Sequence, residues 1–308
     1  MKSPQVKARV RDSIQLRVAK VLQELGNPQP PLRLEDVRYL LELNLGYFQH
    51  DDAGVLQRLA HRLKVVGHQL ANRPGLLVDA VKTLDLRALW VPDQKYVMID
   101  KTQPKPKWRW LEAHEMGHKL CDWHGDFLFG DTEFSLSPAC HQKLESEANY
   151  AAGQLLFLGD RFKVEATDLA LGFSSIQRLK SVYQNTMTTT MWRYVEQLGN
   201  EKPLIGLITC HPHPSKRPPS ADPFAPCKHF IQSPAFAERF SNLTDMDVFN
   251  LVCRYCGPQR GGPLGEAILE LQDDNGDLHQ FKFETFFNSH HALTLGWHLR
   301  LKPTLVAF

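Results

Sequence analysis

Residues 114–118 read His114-Glu115-Met116-Gly117-His118, an H-E-x-x-H run inside a stretch with helical patterning from Trp108 to about Cys121. In a helix, residues four apart stand one turn above each other on the same face, so both imidazoles can reach one metal ion. The glutamate between them is directed toward the ion's open coordination position, where its carboxylate can take a proton from water. With 14 histidines and 15 glutamates in 308 residues, chance produces this pattern with a probability of roughly 0.03. The plainer alternative is a helix with two surface histidines and a glutamate between them. We read the run as a metal site, with His114 and His118 as ligands and Glu115 as general base.

A catalytic zinc site needs three protein ligands and one open position. Two residues compete for the third place. His124 lies six residues after His118 and completes the spacing of the extended H-E-x-x-H-x-x-G-x-x-H motif, but Cys121 stands where that motif turns on glycine. Glu145 lies in the next expected helix, 138–157, which starts at Ser137-Pro138 with a serine cap and a first-turn proline. Asn149 is four residues on and points the same way, so it can hydrogen-bond a ligating histidine and fix its ring. Glu147 is about 200° further round the helix from Glu145. With Ala148 and Ala152 on the Glu145 side, Glu145 is expected to face inward and Glu147 outward.

Working outward, apolar positions Val10, Ile14, Val18, Val21 and Leu22 predict a helix over 5–25. Further helices are expected over 34–45, 55–70 and 76–84. Two short strands follow within 87–100, around a turn at Pro92-Asp93. After the 138–157 helix, short helices are expected over 168–198. The character changes near Gly199-Asn200. Residues 204–210 are β-rich, and 211–226 hold six prolines in an irregular stretch. A hairpin is expected from Ala267–Gln272 and Leu278–Phe287 about the Asp274-Asn275-Gly276-Asp277 turn, with a last strand over 291–302. The expected fold class is α+β: a mainly helical domain with a small sheet at 1–200, and a smaller mixed or β-rich domain at 201–308.

Composition bounds the function classes. A net charge of +2, from 36 basic and 34 acidic residues, provides no global field for nucleic acid or a membrane surface. No apolar run approaches the ~20 residues of a membrane span, so no membrane partner is expected. The first twenty residues are basic without an apolar core. They do not read as a secretory signal, and a transit peptide is the lesser alternative. Six cysteines without such a signal fit reduced thiols and a cytoplasmic location.

Cys253-Arg-Tyr-Cys256 is a lone C-x-x-C that, with Cys210, Cys227, His211 and His229, could build a second, structural zinc site; buried or incidental thiols are the simpler reading, and a redox pair the lesser one. Residues 168–183 have some look of a helix-turn-helix, with Gly172 at the turn and Ser174-Ser175 capping. Only Arg178 and Lys180 are available for phosphates, so direct DNA contact is not expected.

The segments Ala113-His-Glu-Met-Gly-His118 and Glu145-Ser-Glu-Ala-Asn-Tyr-Ala-Ala-Gly-Gln-Leu-Leu156 together resemble the ImmA/IrrE family of zinc metallopeptidases. That family typically reads A-H-E-L-G-H, then E-x-x-A-N-x-F-A-x-x-L-L-M-P. The resemblance covers roughly residues 15–198 and is specific at the two metal segments. Tyr150 stands for the usual phenylalanine, Phe157-Leu158-Gly159 for the methionine-proline, and residues 51–80 are longer than the usual connection. The resemblance implies a zincin-like fold and one catalytic zinc on His114, His118 and Glu145. It also implies Glu115 as the base that activates water for limited cleavage of a protein substrate, typically a helix-turn-helix transcriptional repressor in stress response or mobile-element control. An oxyanion needs a second stabiliser, for which His124 and then His141 are the candidates. The rival expectation from another class is a regulatory protein that keeps the zinc scaffold but senses or docks rather than cuts.

Overall fold

The structure is a computed structural model that describes residues 6–48, 88–91, 95–124 and 138–302; the side chains of 88–91 and 138–141 lie outside the description. The expected helices at 55–70 and 76–84 and the turn at Pro92-Asp93 lie outside the described residues. The chain divides into two compact units, Pro4–Asp160 and a second that carries Arg161–Phe308. Both mix helices with a sheet.

In the first unit, α1 (Ala8–Glu24) buries Ile14, Val18, Val21 and Leu22, the apolar stripe of its sequence. Each such side chain contributes on the order of 1.5–3 kcal/mol when removed from water. The helix ends where Gly26 takes φ +74° and the Asn27 N–H returns to the Leu22 carbonyl at 2.8 Å. The second helix is shorter than the sequence predicts: α2 spans Leu34–Leu40, and the chain then forms β1 (Asn44–Phe48). Pairing decided this. β1 runs parallel to β3 (Tyr96–Asp100), and β2 (Ala88–Val91) is antiparallel to it, giving the order β1-β3-β2. Gly46 faces Met98 so closely that a Cβ would stand 2.4 Å from the thioether sulfur, so a side chain there would displace the end of Met98.

Two long helices complete this unit, α3 (Lys105–Leu120) and α4 (Pro138–Leu156). α3 packs on β2, β3 and α4, and α1 packs on α4. Ala113, Met116 and Leu120 of α3 and Ala148, Ala151, Ala152 and Leu155 of α4 are all fully or nearly fully buried. Small residues dominate that seam and let the two helix backbones approach.

The second unit opens with α5 (Arg161–Thr167), α6 (Phe173–Tyr183) and α7 (Met187–Leu198). Its sheet is antiparallel throughout, in the order β5-β4-β8-β7-β6, from β4 (Leu204–Thr209), β5 (Cys227–Gln232), β6 (Gly262–Gln272), β7 (Leu278–Phe287) and β8 (Ala292–Leu301). Two helices between β5 and β6, α8 (Pro234–Arg239) and α9 (Asp245–Val252), have no counterpart in the sequence reading. Ile205, Leu207, Phe236, Phe240, Val248, Phe249, Phe281 and Phe283 form the core between them and the sheet. Composition places the boundary near residue 200, whereas the compact units part between Asp160 and Arg161. The reason is packing: α7 lies on β4, β5 and β8, so the helices before the composition change belong with the sheet after it.

Around Gly172 the capping differs from the serine pair that the sequence offers. Gly172 takes φ +147°, and the Phe173 N–H at the start of α6 donates to Glu284 Oε2 on β7 at 2.8 Å. Ser175 is buried and donates to the Ala170 carbonyl instead. Arg178 and Lys180 are exposed on α6. No helix among the described residues is long and apolar enough to cross a membrane.

Candidate metal centre

The centre is built from the turn that precedes α3. Asp100 ends β3 with its carboxylate fully buried, accepting from the Thr102 N–H (2.8 Å), the Thr102 hydroxyl (2.7 Å) and the Gln103 amide (3.3 Å). The Gln103 carbonyl accepts from Trp108 Nε1 at 2.7 Å, which ties the first turn of α3 to the sheet. Pro106 sits in that first turn, where no N–H is required. Arg38 Nε lies 2.7 Å from Glu112 Oε1, a half-buried ion pair that joins α2 to the middle of α3.

One turn further, His114 and His118 project from the face of α3 that meets α4. Their Nε2 atoms are 3.2 Å apart, with the rings nearly perpendicular at 83°. Glu145 of α4 completes the group: its Oε2 is 3.2 Å from His114 Nε2 and its Oε1 3.4 Å from His118 Nε2. Among the described residues, these three are the one group of His, Cys, Asp or Glu with three or more ligand atoms all within 4.8 Å of one another. Asn149 Oδ1 stands 3.0 Å from His114 Nδ1. An amide oxygen can only accept, so His114 carries a hydrogen on Nδ1, and in the neutral ring Nε2 is the free lone pair. Glu115, between the two histidines, is 5% exposed.

The electrostatics fit a cation at this point. Burial works against the charged form of His114, but Glu145, Glu115 and Asn149 outweigh it and hold its pKa above the ordinary histidine value. Burial pushes His118 down to about 4 against the pull of Glu145. Burial alone would raise the Glu145 carboxyl; the two imidazoles beside it outweigh that and hold the group well below the usual carboxylate range. Two imidazole nitrogens and one carboxylate converge here, which is the donor set of a three-ligand zinc site.

Two expectations change. His124 is fully buried, with Nδ1 2.9 Å from His118 Nδ1 and Nε2 3.1 Å from Glu147 Oε2. Both nitrogens are engaged, so His124 is neither a ligand of the group nor free to meet an oxyanion. Glu147 does not face outward: it is 2% exposed, whereas the Glu145 side chain is 37% exposed. Glu147 accepts from Trp123 Nε1 at 2.7 Å as well as from His124. On a helix with one apolar face Glu147 would point outward, but α4 is packed by both α1 and α3 and its buried arc is wider. A signal was present in Trp123-His124, an indole and an imidazole just past α3 that need a nearby acceptor. The His141 side chain lies outside the described residues.

The cysteines of the second unit are not gathered as a metal site. Cys253 Sγ accepts from Arg217 Nη2 at 3.3 Å, Cys227 Sγ donates to the Asp245 carbonyl at 3.6 Å, and Cys256 packs into the core. His211 Nε2 lies 2.8 Å from the Gln259 carbonyl and His229 sits edge-on to Trp192. All described cysteines are free thiols.

No protein-family model and no curated protein matches the chain. A solved structure described as a Mycobacterium tuberculosis transcriptional regulator is similar over 94% of this chain and 92% of that one, with 13% identity and a TM-score of 0.52. At that identity the likeness concerns the fold alone.

Proposed function

We propose that this protein is a zinc-dependent endopeptidase of zincin-like, ImmA/IrrE type that carries out limited cleavage of a protein substrate. The observation that carries the reading is the convergence of His114 Nε2, His118 Nε2 and a Glu145 carboxylate, with Glu115 buried in the same turn of α3. A zinc ion held there supplies Lewis acidity, lowering the pKa of water toward neutrality and polarising a peptide carbonyl. Glu115 takes the proton as water attacks and hands it to the leaving amine. Its burial keeps competing solvent away from that carboxylate. By the sequence resemblance, the substrate class is a transcriptional repressor of the helix-turn-helix kind. The competing reading, a zinc scaffold that senses or docks without cutting, leaves Glu115 without a chemical task.

Zinc per chain, measured by elemental mass spectrometry on wild type, Glu145→Ala and Glu115→Gln, tests the site. Mass-spectrometric mapping of new N-termini in a digested protein mixture tests the activity. We expect about one zinc in wild type and in Glu115→Gln and none in Glu145→Ala. Cleavage should fall about 10²–10⁴-fold in Glu115→Gln. A folded wild type without zinc, or equal cleavage by Glu115→Gln, rejects the reading; zinc without any cleavage favours the docking scaffold.

A further inference from the structure

Behind His118, away from Glu145, lies a chain of polar groups that the reaction itself does not use: the buried His124 and Glu147 and the half-buried Trp123. We propose that these three form a proton-directing relay that fixes His118 in the tautomer presenting Nε2 to the metal, and are positioning residues of the centre. The inference rests on the zinc reading above and adds how one ligand is prepared for it.

The direction of each hydrogen bond follows from the one before it. A carboxylate oxygen accepts and an indole N–H donates, so Glu147 Oε2 accepts from Trp123 Nε1 at 2.7 Å. The same oxygen lies 3.1 Å from His124 Nε2, which must therefore carry a hydrogen. A neutral imidazole has one such hydrogen, so His124 Nδ1 is a bare acceptor. That atom stands 2.9 Å from His118 Nδ1, so His118 places its hydrogen there. What remains on His118 is the Nε2 lone pair, 3.2 Å from His114 Nε2 and 3.4 Å from Glu145 Oε1. Asn149 does the same for His114 in a single step.

Burial makes the relay effective. His124 is 0% and Glu147 2% exposed, so water does not substitute for either partner. Trp123 also packs edge-on against the His124 ring, with centroids 5.8 Å apart at 87°, which restrains its rotation. Lys143, one turn before Glu147 on α4, places Nζ 3.9 Å from its other oxygen and balances the carboxylate from the solvent side. Outer partners of ligating histidines typically change metal affinity 10–100-fold.

The test uses the full-length protein and zinc alone. Affinity is measured by competition with a chromophoric chelator for wild type, His124→Phe and His124→Asn. Imidazole tautomers are read from long-range ¹H–¹⁵N correlations in wild type. Removing the acceptor in His124→Phe should weaken zinc binding about 10–100-fold, and His124→Asn should restore most of it, because Oδ1 takes the place of the ring Nδ1. Wild type should show His124 protonated on Nε2 and His118 on Nδ1. Zinc affinity within about twofold of wild type in folded His124→Phe, or equal losses in both variants, overturns the proposal. So does a His124 ring protonated on Nδ1, a result that stands even where the variants fail to fold. A wild type that binds no zinc defeats the zinc reading, while the tautomers of the metal-free protein still decide the relay.

Discussion

Gly117 of α3 lies against the Ala148 carbonyl of α4 so closely that a Cβ on Gly117 would stand 2.5 Å from the oxygen. The two helices that carry His114, His118 and Glu145 therefore touch backbone to backbone at the centre of the candidate site. Gly117 follows Glu115 by two residues and Ala148 follows Glu145 by three, so this contact sets the distance from the two histidines to the carboxylate.

Gly117→Ala should consequently act on both stability and metal binding. The added methyl meets main chain rather than a movable side chain, and the helices must part. We expect a loss of about 1–3 kcal/mol in denaturant unfolding, typical of an overpacked core. Zinc affinity in a chelator competition should fall with it. Unchanged affinity would show that the ligands do not depend on this contact.

Glu145 and Asn149 share one face of α4 but should fail differently. Glu145→Ala removes one of three ligands, and zinc should leave the protein. Asn149→Ala removes only the acceptor 3.0 Å from His114 Nδ1, so the ion should stay with affinity reduced about 10–100-fold. Side-by-side chelator titrations separate the two; identical losses would contradict the assignment of Asn149 to ring orientation.

In the second unit, the Glu284 carboxylate caps α6 through the Phe173 N–H. Glu284→Ala should lower stability by about 0.5–2 kcal/mol, the usual cost of a lost N-terminal acceptor. Gly172→Ala should cost about 1–3 kcal/mol, because φ is +147° and the new Cβ would lie 3.0 Å from the same carboxylate. The double variant should lose less than the sum, since Gly172→Ala already displaces the cap. Strict additivity in urea unfolding would argue against the coupling.

Cys227 and Cys256 provide a test by pH. Burial pushes the Cys227 thiol up to about 12 and the Cys256 thiol up to about 11, from an ordinary value of 9. Because the folded values are raised, their contribution to stability is present below about pH 9. It is lost as pH climbs through 11–12. Neither thiol should react with iodoacetamide in the native protein at pH 8, and both should react once urea unfolds it. Rapid native-state labelling mapped to either residue would count against the raised thiol pKa values, and at Cys256 against its buried placement.

Much of the architecture can be read along the chain wherever a local rule operates alone. The α1 stripe is buried because Ile14, Val18, Val21 and Leu22 recur at helical spacing. The Asp274-Asn275-Gly276-Asp277 turn joins β6 to β7, and Gly276 takes φ +92° there. Local reasoning fails where a distant partner decides. Residues 41–48 carry enough leucine to extend α2, yet β3 pairs with Asn44–Phe48 and wins. Thr244 and Asp247 form a reciprocal capping box at the start of α9, a local signal present in the sequence at that spacing.

For the centre, the sequence alone determined that His114 and His118 share a helical face with Glu115 between them, because 3.6 residues per turn leaves no other arrangement. It also narrowed the third partner to Glu145 or His124. Only the tertiary structure shows which of them stands with the two histidines: Glu145 does, because of how α3 and α4 approach, with Gly117 against Ala148. The same packing turned Glu147 inward and placed His124 behind His118 rather than beside it. Periodicity fixes direction around one helix axis; which directions are buried depends on every element that packs against it, and that information is spread over the whole chain.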